Sequence, residues 1–268
     1  IGGDVVSAGP DGLIDNVHAT GTTYANTIQN SEVDLDAYYQ NITNTIVWGT
    51  QFPGSTDQPT STLPISDEVI EELKSIAEAG GIISSPCPYV INSSMTLGPV
   101  KITCDVVIDK NGTVLTLAGA VWVEGNITTK SGPTIKIDST LGKESMPMIA
   151  DDPSDRLTGS KVIMENDTFF EGADTGSYVV MISQNNSSEN GGSEVAINIK
   201  NSAEGQLLAY ASHGELLLQN NIGLREATAY KIHLLNFAEV TYEDGLASIL
   251  FSSGPSGGFE MERWREIG

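Results

Sequence analysis

Positively charged residues are scarce in this sequence. Lysine and arginine together number 13, against 35 aspartates and glutamates, so the formal net charge is −22. Nucleic-acid binding needs a concentrated basic face, and adsorption to an anionic membrane needs the same sign of charge. We therefore expect no nucleic-acid partner and no simple adsorption to such a membrane. The acidic excess favours a solvated, self-repelling surface, and binding of divalent cations is the alternative interpretation.

Long apolar runs and aromatic residues are also lacking. No stretch approaches the 18 consecutive apolar residues of a transmembrane helix, so the sequence predicts no membrane span. The chain begins with Ile1 rather than Met, which is compatible with removal of a signal or anchor segment. Aromatics make up 6% of the residues and glycines number 28, a composition that suits many short strands and turns better than a large helical core.

Three alternating apolar pairs recur every 20 residues between positions 95 and 137. Strands this short cannot form a core alone, but stacked coils superpose like positions about 4.8 Å apart and build continuous aliphatic columns. The sequence therefore predicts an all-β fold, a parallel β-helix or solenoid, over residues 82–250. The pairs are Met95/Leu97, Leu115/Leu117 and Ile135/Ile137, and Val107 and Ile127 keep the same step.

Residues 1–49 carry a second period, of 14 residues, and form a separate predicted region of repeated strand-turn units. The isoleucines are expected in the core, and the asparagines in turns, where they tolerate left-handed backbone angles. Fourteen residues is short for a three-sided coil, so two geometries stay open: narrow coils, or strands that pair with the main solenoid. The repeats are Ile14/Asn16, Ile28/Asn30 and Ile42/Asn44, with Tyr24 matching Tyr38 and Val33 matching Val47.

A linker over residues 50–65 and one helix are predicted between these regions. Ser66 is the expected N-cap of a helix near 66–79, and Gly80-Gly81 is its stop, so we assign residues 66–81 to this element. Its apolar stripe, Val69, Leu73 and Ile76, must rest on another surface. We expect the helix to cap an open end of the solenoid, and a hinge between the two strand regions is the alternative.

Polar insertions and a distinct tail complete the organisation. The insertions 141–146, 151–159 and 184–192 are rich in polar residues, and we expect the last to be mobile. Residues 251–268 begin with a flexible Gly/Ser/Pro link and end in a strand or cap. This tail either folds back on its own chain or completes the open edge of a neighbouring molecule.

The two cysteines, Cys87 and Cys104, lie 17 positions apart, close to one coil length. This spacing can bring them side by side on neighbouring coils. We therefore favour a disulfide, with two buried free thiols as the alternative.

Carboxylates are the candidates for chemistry because parallel β-helices include enzymes that degrade acidic polysaccharides. Asp151, Asp152 and Asp155 with Arg156 form a weak candidate calcium loop, and calcium is the only cofactor considered. Other carboxylates near strand ends show no paired register with a supporting base, which favours solvated coil corners over catalysis. These are Asp105, Asp109, Glu124 and Asp138.

Histidines and tryptophans add no recognisable catalytic set. His18, His213 and His233 are isolated in the sequence and lack metal-ligand spacing, so no catalytic residue and no metal ligand is predicted among them. Trp48, Trp122 and Trp264 are either sugar-stacking platforms or residues that close coil corners.

The chain resembles a group of secreted parallel β-solenoid surface proteins of uncultured, small-genome bacteria, which often follow a type IV pilin-like N-terminal segment. The resemblance implies extracellular display and filament or appendage assembly, and it supplies no catalytic residue. It covers nearly the whole chain and rests on Tyr-Ala-Asn-Thr-Ile-Gln-Asn (24–30), Asp-Ala-Tyr-Tyr (36–39), Leu-Pro-Ile-Ser-Asp (63–67), Pro-Cys-Pro-Tyr-Val-Ile-Asn (86–92), Leu-Gly-Pro-Val-Lys-Ile-Thr (97–103), Val-Trp-Val-Glu-Gly-Asn-Ile-Thr (121–128) and Leu-Phe-Ser-Ser-Gly-Pro-Ser-Gly-Gly (250–258).

From residues and resemblance together we expect a non-catalytic structural protein outside the cell or at its surface. Its expected partner is a second copy, bound end to end in a filament. A carbohydrate-binding adhesin module with a surface glycan as partner is the second hypothesis. A polysaccharide-degrading β-helix enzyme is the third.

Overall fold

The computed structural model describes residues 1–59, 64–220, 223–224, 226–236 and 238–240. The chain divides into two compact units, Ile1–Leu63 and Pro64–Gly268, called here the N-terminal unit and the C-terminal unit. Both consist mainly of short parallel strands stacked coil on coil, so the predicted all-β parallel solenoid is confirmed. The tail over 251–268 and the apolar segment before it lie outside the described residues.

The N-terminal unit is a narrow three-sided coil. Its three parallel sheets have the orders β1-β4-β7-β10, β2-β5-β8 and β3-β6-β9. This arrangement settles the geometry that the 14-residue period left open. The strands are Val5–Ser7 (β1), Leu13–Asp15 (β2), His18–Ala19 (β3), Thr23–Ala25 (β4), Thr27–Gln29 (β5), Glu32–Val33 (β6), Ala37–Tyr39 (β7), Asn41–Thr43 (β8), Ile46–Val47 (β9) and Gln51–Pro53 (β10).

The predicted columns of this unit are in register. Ile28 pairs with Ile14 on one side and Ile42 on the other, and Ile28 is fully buried. The asparagines occupy left-handed turns, with Asn16 at a φ of 57° and Asn30 at 50°. Strand β10 lies inside the segment predicted as a linker, because the 14-residue repeat runs one strand further than residue 49.

The interior of the N-terminal unit is lined partly by alanines, because a short coil leaves little room between its faces. Ala25 and Ala37 are buried there beside Ile28 and Val33. On the outer face of the first sheet, Tyr24, Tyr38 and Phe52 occupy like positions of successive coils. Their rings stack with centroids 4.7 and 4.3 Å apart, which makes a partly exposed aromatic ladder.

Helix α1 spans Asp67–Gly80, as its capping signals predict. The Ser66 hydroxyl accepts a hydrogen bond from the Val69 backbone N–H, and Asp67 and Glu68 stand in the first turn. The buried stripe is Ile70, Leu73, Lys74 and Ala77 rather than the predicted Val69, Leu73 and Ile76. The buried stripe is therefore rotated relative to the predicted one.

The C-terminal unit is a wider solenoid with three strands in each coil. Its first and second faces join into one parallel sheet through β26, which bends at a bulge and belongs to both. Its strands are Ile82–Ile83 (β11), Tyr89–Ile91 (β12), Met95–Leu97 (β13), Val100–Ile102 (β14), Val106–Asp109 (β15), Val114–Leu117 (β16), Val121–Val123 (β17), Ile127–Lys130 (β18), Thr134–Ile137 (β19), Met146–Ala150 (β20), Val162–Met164 (β21), Thr168–Glu171 (β22), Val179–Ser183 (β23), Val195–Ile199 (β24), Ala203–Gly205 (β25), Leu207–Leu218 (β26), Gly223–Leu224 (β27), Glu226–Leu234 (β28) and Glu239–Val240 (β29), with a 3₁₀ turn at Ser139–Leu141.

The 20-residue columns appear on the third face. Leu115 pairs with Met95 and with Ile135, and both Leu115 and Ile135 are fully buried. The predicted step from Val107 to Ile127 is wrong by one position, because Val106 pairs with Ile127 and is the buried residue. The coil is one residue longer on the second face than on the third.

The predicted location of the helix at an open end is wrong. Helix α1 lies along the outer surface of the first face, where Ile65, Ile70 and Leu73 share a buried cluster with residues of three strands. Strands β20 and β23 are buried at every position, so both of their surfaces are apolar and the outer one needs cover. The residues covered are Ile149, Tyr178, Val180, Ile182, Leu208 and Tyr210.

Candidate functional site

A shallow groove of about 570 Å³ on the N-terminal unit is the largest concavity found among the described residues. It runs across three coils, so each row of its lining repeats one position of the 14-residue period. The strand ends of β2, β5 and β8 lead into its floor, and β3, β6 and β9 form its far wall. Its rows are Asn16/Asn30/Asn44, Val17/Ser31/Thr45 and His18/Glu32/Ile46.

The asparagine row is held by side-chain hydrogen bonds between coils. The Asn44 Nδ2 donates to the Asn30 Oδ1 at 2.9 Å, and the Asn30 Nδ2 donates to the Asp15 Oδ1 at 2.9 Å. Hydrogen bonds from Asn30 and then Gln29 lower the pKa of the Asp15 carboxyl below its usual value. The left-handed corner therefore carries a fixed polar ladder along one side of the groove.

The middle row is satisfied by the backbone of the next coil. The Val17 N–H donates to the Ser31 hydroxyl at 3.1 Å, and the Ser31 N–H donates to the Thr45 hydroxyl at 3.3 Å. Ser31 is buried. This row therefore fixes the floor of the groove and leaves recognition to its two walls.

The third row and the residues beside it bring charged and aromatic groups together. The His18 Nε2 lies 2.9 Å from the Asp34 Oδ1, and the Trp48 Nε1 donates to the Glu32 Oε1 at 2.9 Å. Trp48 is 69% exposed. An exposed indole beside carboxylates and an imidazole can stack on a sugar ring and bond its hydroxyls, and the same charged groups can ligate a metal.

The predicted calcium loop does not present a ligand set. Asp151 is fully buried, and its oxygens accept from the Arg156 Nε at 2.7 Å and from the Lys74 Nζ at 2.7 Å. Asp152 accepts from the Ser154 N–H, and Asp155 from the Thr158 N–H. The three carboxylates serve a buried ion pair and two local turns, so they do not converge.

Arg156 and Trp122 belong to the same buried cluster. The hydrogen bond to Asp151 raises the pKa of the Arg156 guanidinium. Trp122 is buried, its Nε1 donates to the Asp151 carbonyl at 2.8 Å, and the Lys74 and Lys101 ammonium groups lie 4.7 and 3.8 Å from its ring centroid. Trp122 therefore fastens helix α1 to the sheet, and Trp264 lies outside the described residues.

The carboxylates at coil corners form structural contacts. Asp105 accepts from the Asn126 N–H at 2.7 Å and Asp109 from the Ser131 hydroxyl at 2.9 Å. Glu124 lies 3.5 Å from the Lys101 Nζ. Asp138 caps the 3₁₀ turn, and hydrogen bonds from Thr140 lower the pKa of its carboxyl. These contacts agree with the interpretation of solvated corners.

Cys87 and Cys104 are joined in a disulfide with their Cα atoms 5.9 Å apart. Cys87 lies in the loop between β11 and β12, and Cys104 lies between β14 and β15. The bond therefore ties the corner of the first coil of the C-terminal unit to the corner of the second.

The histidines are not isolated in space. The His213 ring lies between Glu189, 2.8 Å from its Nδ1, and Asp67, 3.1 Å from its Nε2. The His233 Nδ1 lies 3.3 Å from the Glu215 Oε1. Sequence reasoning missed the His18 cluster, although the 14-residue period places Glu32 directly opposite His18 on the next coil.

Comparison with known proteins finds no matching family model, no matching curated protein and no matching solved structure. Within the parts of the chain that the structure describes, no helix has the length and apolar character needed to cross a membrane. The site's own geometry is therefore the basis for a functional assignment.

Proposed function

We propose that this chain is a non-catalytic structural protein of the cell surface, a solenoid subunit that associates end to end in an appendage or filament. The observation that carries the proposal is the outermost coil of the N-terminal unit. Its strands β1, β2 and β3 each have one strand neighbour among the described residues. An edge of this kind can accept further strands.

The side chains at this edge support the proposal. Val5 and Val17 pack on the core of the unit but remain only partly buried, so another coil placed against them would bury more apolar surface. The Val5 N–H is used within the unit, where it donates to the Thr22 carbonyl at 2.9 Å. In a parallel strand, alternate residues face opposite neighbours, so Val6 presents its backbone groups to the open edge.

The symmetry of such a contact favours a filament. An open coil edge docks on a different surface of the next copy, and a head-to-tail contact that does not close into a ring propagates as a fibre. The net charge of −22 opposes random association, which leaves strand addition at the edge as the specific route.

Two further observations bear on compartment and catalysis. Structural disulfides persist in oxidising compartments, so the Cys87–Cys104 bond supports a location outside the cytosol. The carboxylates considered for catalysis each accept turn hydrogen bonds or form ion pairs, which supports a structural role for them.

Negative-stain electron microscopy and light scattering of the purified chain test the proposal. We expect concentration-dependent filaments, and we expect Val6→Pro to abolish them because proline removes the amide donor at the open edge. Val6→Thr is the matched control, since it keeps both the N–H and the β-branched shape. Circular dichroism establishes that both variants keep the fold. A wild-type chain that stays monomeric at high concentration, or a proline variant that polymerises normally, contradicts the proposal.

A carbohydrate-binding role is the second candidate, and the exposed Trp48 beside the polar groove favours it. Retention of the monomer on immobilised acidic and neutral polysaccharides is the measurement. We expect Trp48→Ala to remove retention, whereas Tyr230→Ala, which removes an exposed aromatic of the C-terminal unit, leaves it unchanged. Equal retention of the Trp48 variant and the wild type contradicts this role.

A further inference from the structure

We propose that His18, Glu32 and Asp34 form a binding site for a divalent transition-metal ion such as zinc. One imidazole nitrogen and one oxygen from each carboxylate all lie within 4.8 Å of one another. Among the described residues this is the set of three such groups that meets. In a tetrahedral zinc site with bonds of about 2.0–2.2 Å, ligand atoms stand about 3.3 Å apart. Small side-chain rotations therefore bring the three groups onto one ion.

The solenoid itself places these residues. His18 on β3 and Glu32 on β6 are register partners of adjacent coils, and Asp34 follows β6 at the next corner. The His18 Nε2 and the Asp34 Oδ1 are 2.9 Å apart, so imidazole and carboxylate already point to the same place. Rigid strands thus supply two of the three groups at fixed separation.

The chemistry of the groups selects the class of ion. Imidazole suits zinc, nickel and copper, whereas calcium takes oxygen ligands and magnesium keeps most of its water. Two carboxylates held close together on a chain of net charge −22 repel each other, and a dication between them removes that repulsion. A transition-metal dication is therefore favoured over calcium at this place.

Trp48 supports one of the ligands from behind. Its Nε1 donates to the Glu32 Oε1 at 2.9 Å, which orients the carboxylate and leaves its second oxygen for an ion. His18 and Glu32 also line the groove. The remaining coordination positions of the ion are therefore open to solvent or to a ligand in the groove.

His213 provides a natural comparison within the same chain. Carboxylates occupy both of its ring nitrogens, with Glu189 on the Nδ1 and Asp67 on the Nε2. Its two acidic partners therefore stand on opposite sides of the ring and do not converge on one ion. A histidine with two acidic neighbours is present in both units, but the arrangement of a metal site is present at His18.

Isothermal titration of the full chain with zinc chloride in moderate salt tests the site. We expect one saturable site, weakened at least about tenfold by His18→Ala or Asp34→Asn. We expect Trp48→Phe to weaken zinc binding by about tenfold as well, because it keeps the ring and removes only the donor to Glu32. His213→Ala is the matched control and should bind as the wild type does. Calcium chloride should give no saturable heat.

Cobalt substitution gives a readout that depends on ligand identity. The visible absorption of bound Co²⁺ should appear with the wild type and with His213→Ala and be lost with His18→Ala. Zinc binding that survives His18→Ala, or that falls equally with His213→Ala, overturns the assignment. So does the absence of saturable binding to a wild-type chain whose circular dichroism shows the folded state.

Discussion

The two units use the same coil in different ways. The N-terminal unit keeps a strict 14-residue turn of chain, so each position forms one column of core, corner or surface. The C-terminal unit lengthens its coils to 35 residues between Ile135 and Phe170 and adds polar loops and a helix. A minimal coil therefore displays its chemistry as surface ladders, whereas an expanded coil buries chemistry between its insertions and its sheet.

The buried polar groups show this difference most clearly. In the C-terminal unit, Lys74 and Asp151 form an ion pair beneath the helix, and their side chains are 5% and 0% exposed. The N-terminal unit has its comparable pair, His18 and Asp34, on the surface with 55% and 39% exposure. Burial determines how much each pair should contribute to stability.

The largest expected effect breaks the buried pair. Asp151→Asn leaves the Lys74 ammonium and the Arg156 guanidinium without their shared counter-charge, which should lower the free energy of unfolding by about 3–5 kcal/mol. Urea unfolding, followed by hydrogen exchange of peptides from each unit, measures it. The matched variant Asp34→Asn should cost less than about 1 kcal/mol. Equal losses for the two variants would refute the comparison.

Removing the disulfide should affect one unit only. Cys87→Ser with Cys104→Ser opens a 17-residue loop, and the chain-entropy estimate for a loop of this size is about 3 kcal/mol. We expect faster exchange in strands β11 to β15 and unchanged exchange in the N-terminal unit. Reduction of the wild type with dithiothreitol should reproduce the pattern. A loss of protection shared by both units would show that they are not energetically separate.

Alkaline pH should loosen the helix of the C-terminal unit. Burial raises the pKa of Tyr210 to about 12, and its hydroxyl donates to the Ile65 carbonyl beside the helix. Because the folded-state pKa exceeds the unfolded value of about 10, the stabilisation is complete below pH 10 and declines between about pH 10 and 12. Thermal unfolding across this range is the measurement. Tyr210→Phe should be less stable at neutral pH and lose this dependence, and an identical pH profile in that variant would exclude Tyr210 as the cause.

The smallest expected effect concerns the aromatic ladder of the N-terminal unit. Tyr38→Ala removes two stacking contacts, with Tyr24 and Phe52, at about 0.5–1.5 kcal/mol for each pair. Exchange of peptides in β4, β7 and β10 should report the loss. Tyr230→Ala, an exposed aromatic outside any such ladder in the described residues, should be nearly neutral. A neutral result at Tyr38 would show that the exposed ladder adds no stability.

Much of the fold could be predicted from the sequence because the aliphatic columns are periodic. Met95, Leu115 and Ile135 reveal the wide coil directly, and Ile14, Ile28 and Ile42 reveal the narrow one. The error at Val107 arose because a coil can gain a residue on one face and keep its length on another. A period measured on one face therefore does not fix the register of the next.

The surface that receives the helix could not be predicted in the same way. The sequence of helix α1 shows an apolar stripe but does not show what that stripe contacts. The signal was present in the runs Met146–Ala150 and Val179–Ser183, which do not alternate and so are apolar on both surfaces. The expected mobility of residues 184–192 also needs correction, because Asn185 is buried and donates to the Gly159 carbonyl at 2.8 Å.

The groove and its charged wall escaped sequence reasoning because its residues are distant in the chain. His18 and Glu32 become neighbours only when the 14-residue period is written as columns. Asp34 and Trp48 each stand two positions further along successive coils, so the same operation places them beside that wall. The chemistry at this place lies across coils rather than along the chain.

The lateral helix constrains the order in which the chain can fold. Ile65 and Tyr210, whose backbone and hydroxyl meet, are separated by 145 positions. A chain emerging from a ribosome or an export channel therefore delivers the helix long before the strands that shelter it, whereas the N-terminal unit has all ten of its strands by Pro53. Until Tyr210 arrives, the apolar stripe of the helix has no native surface, and a bound chaperone would be needed to shield it.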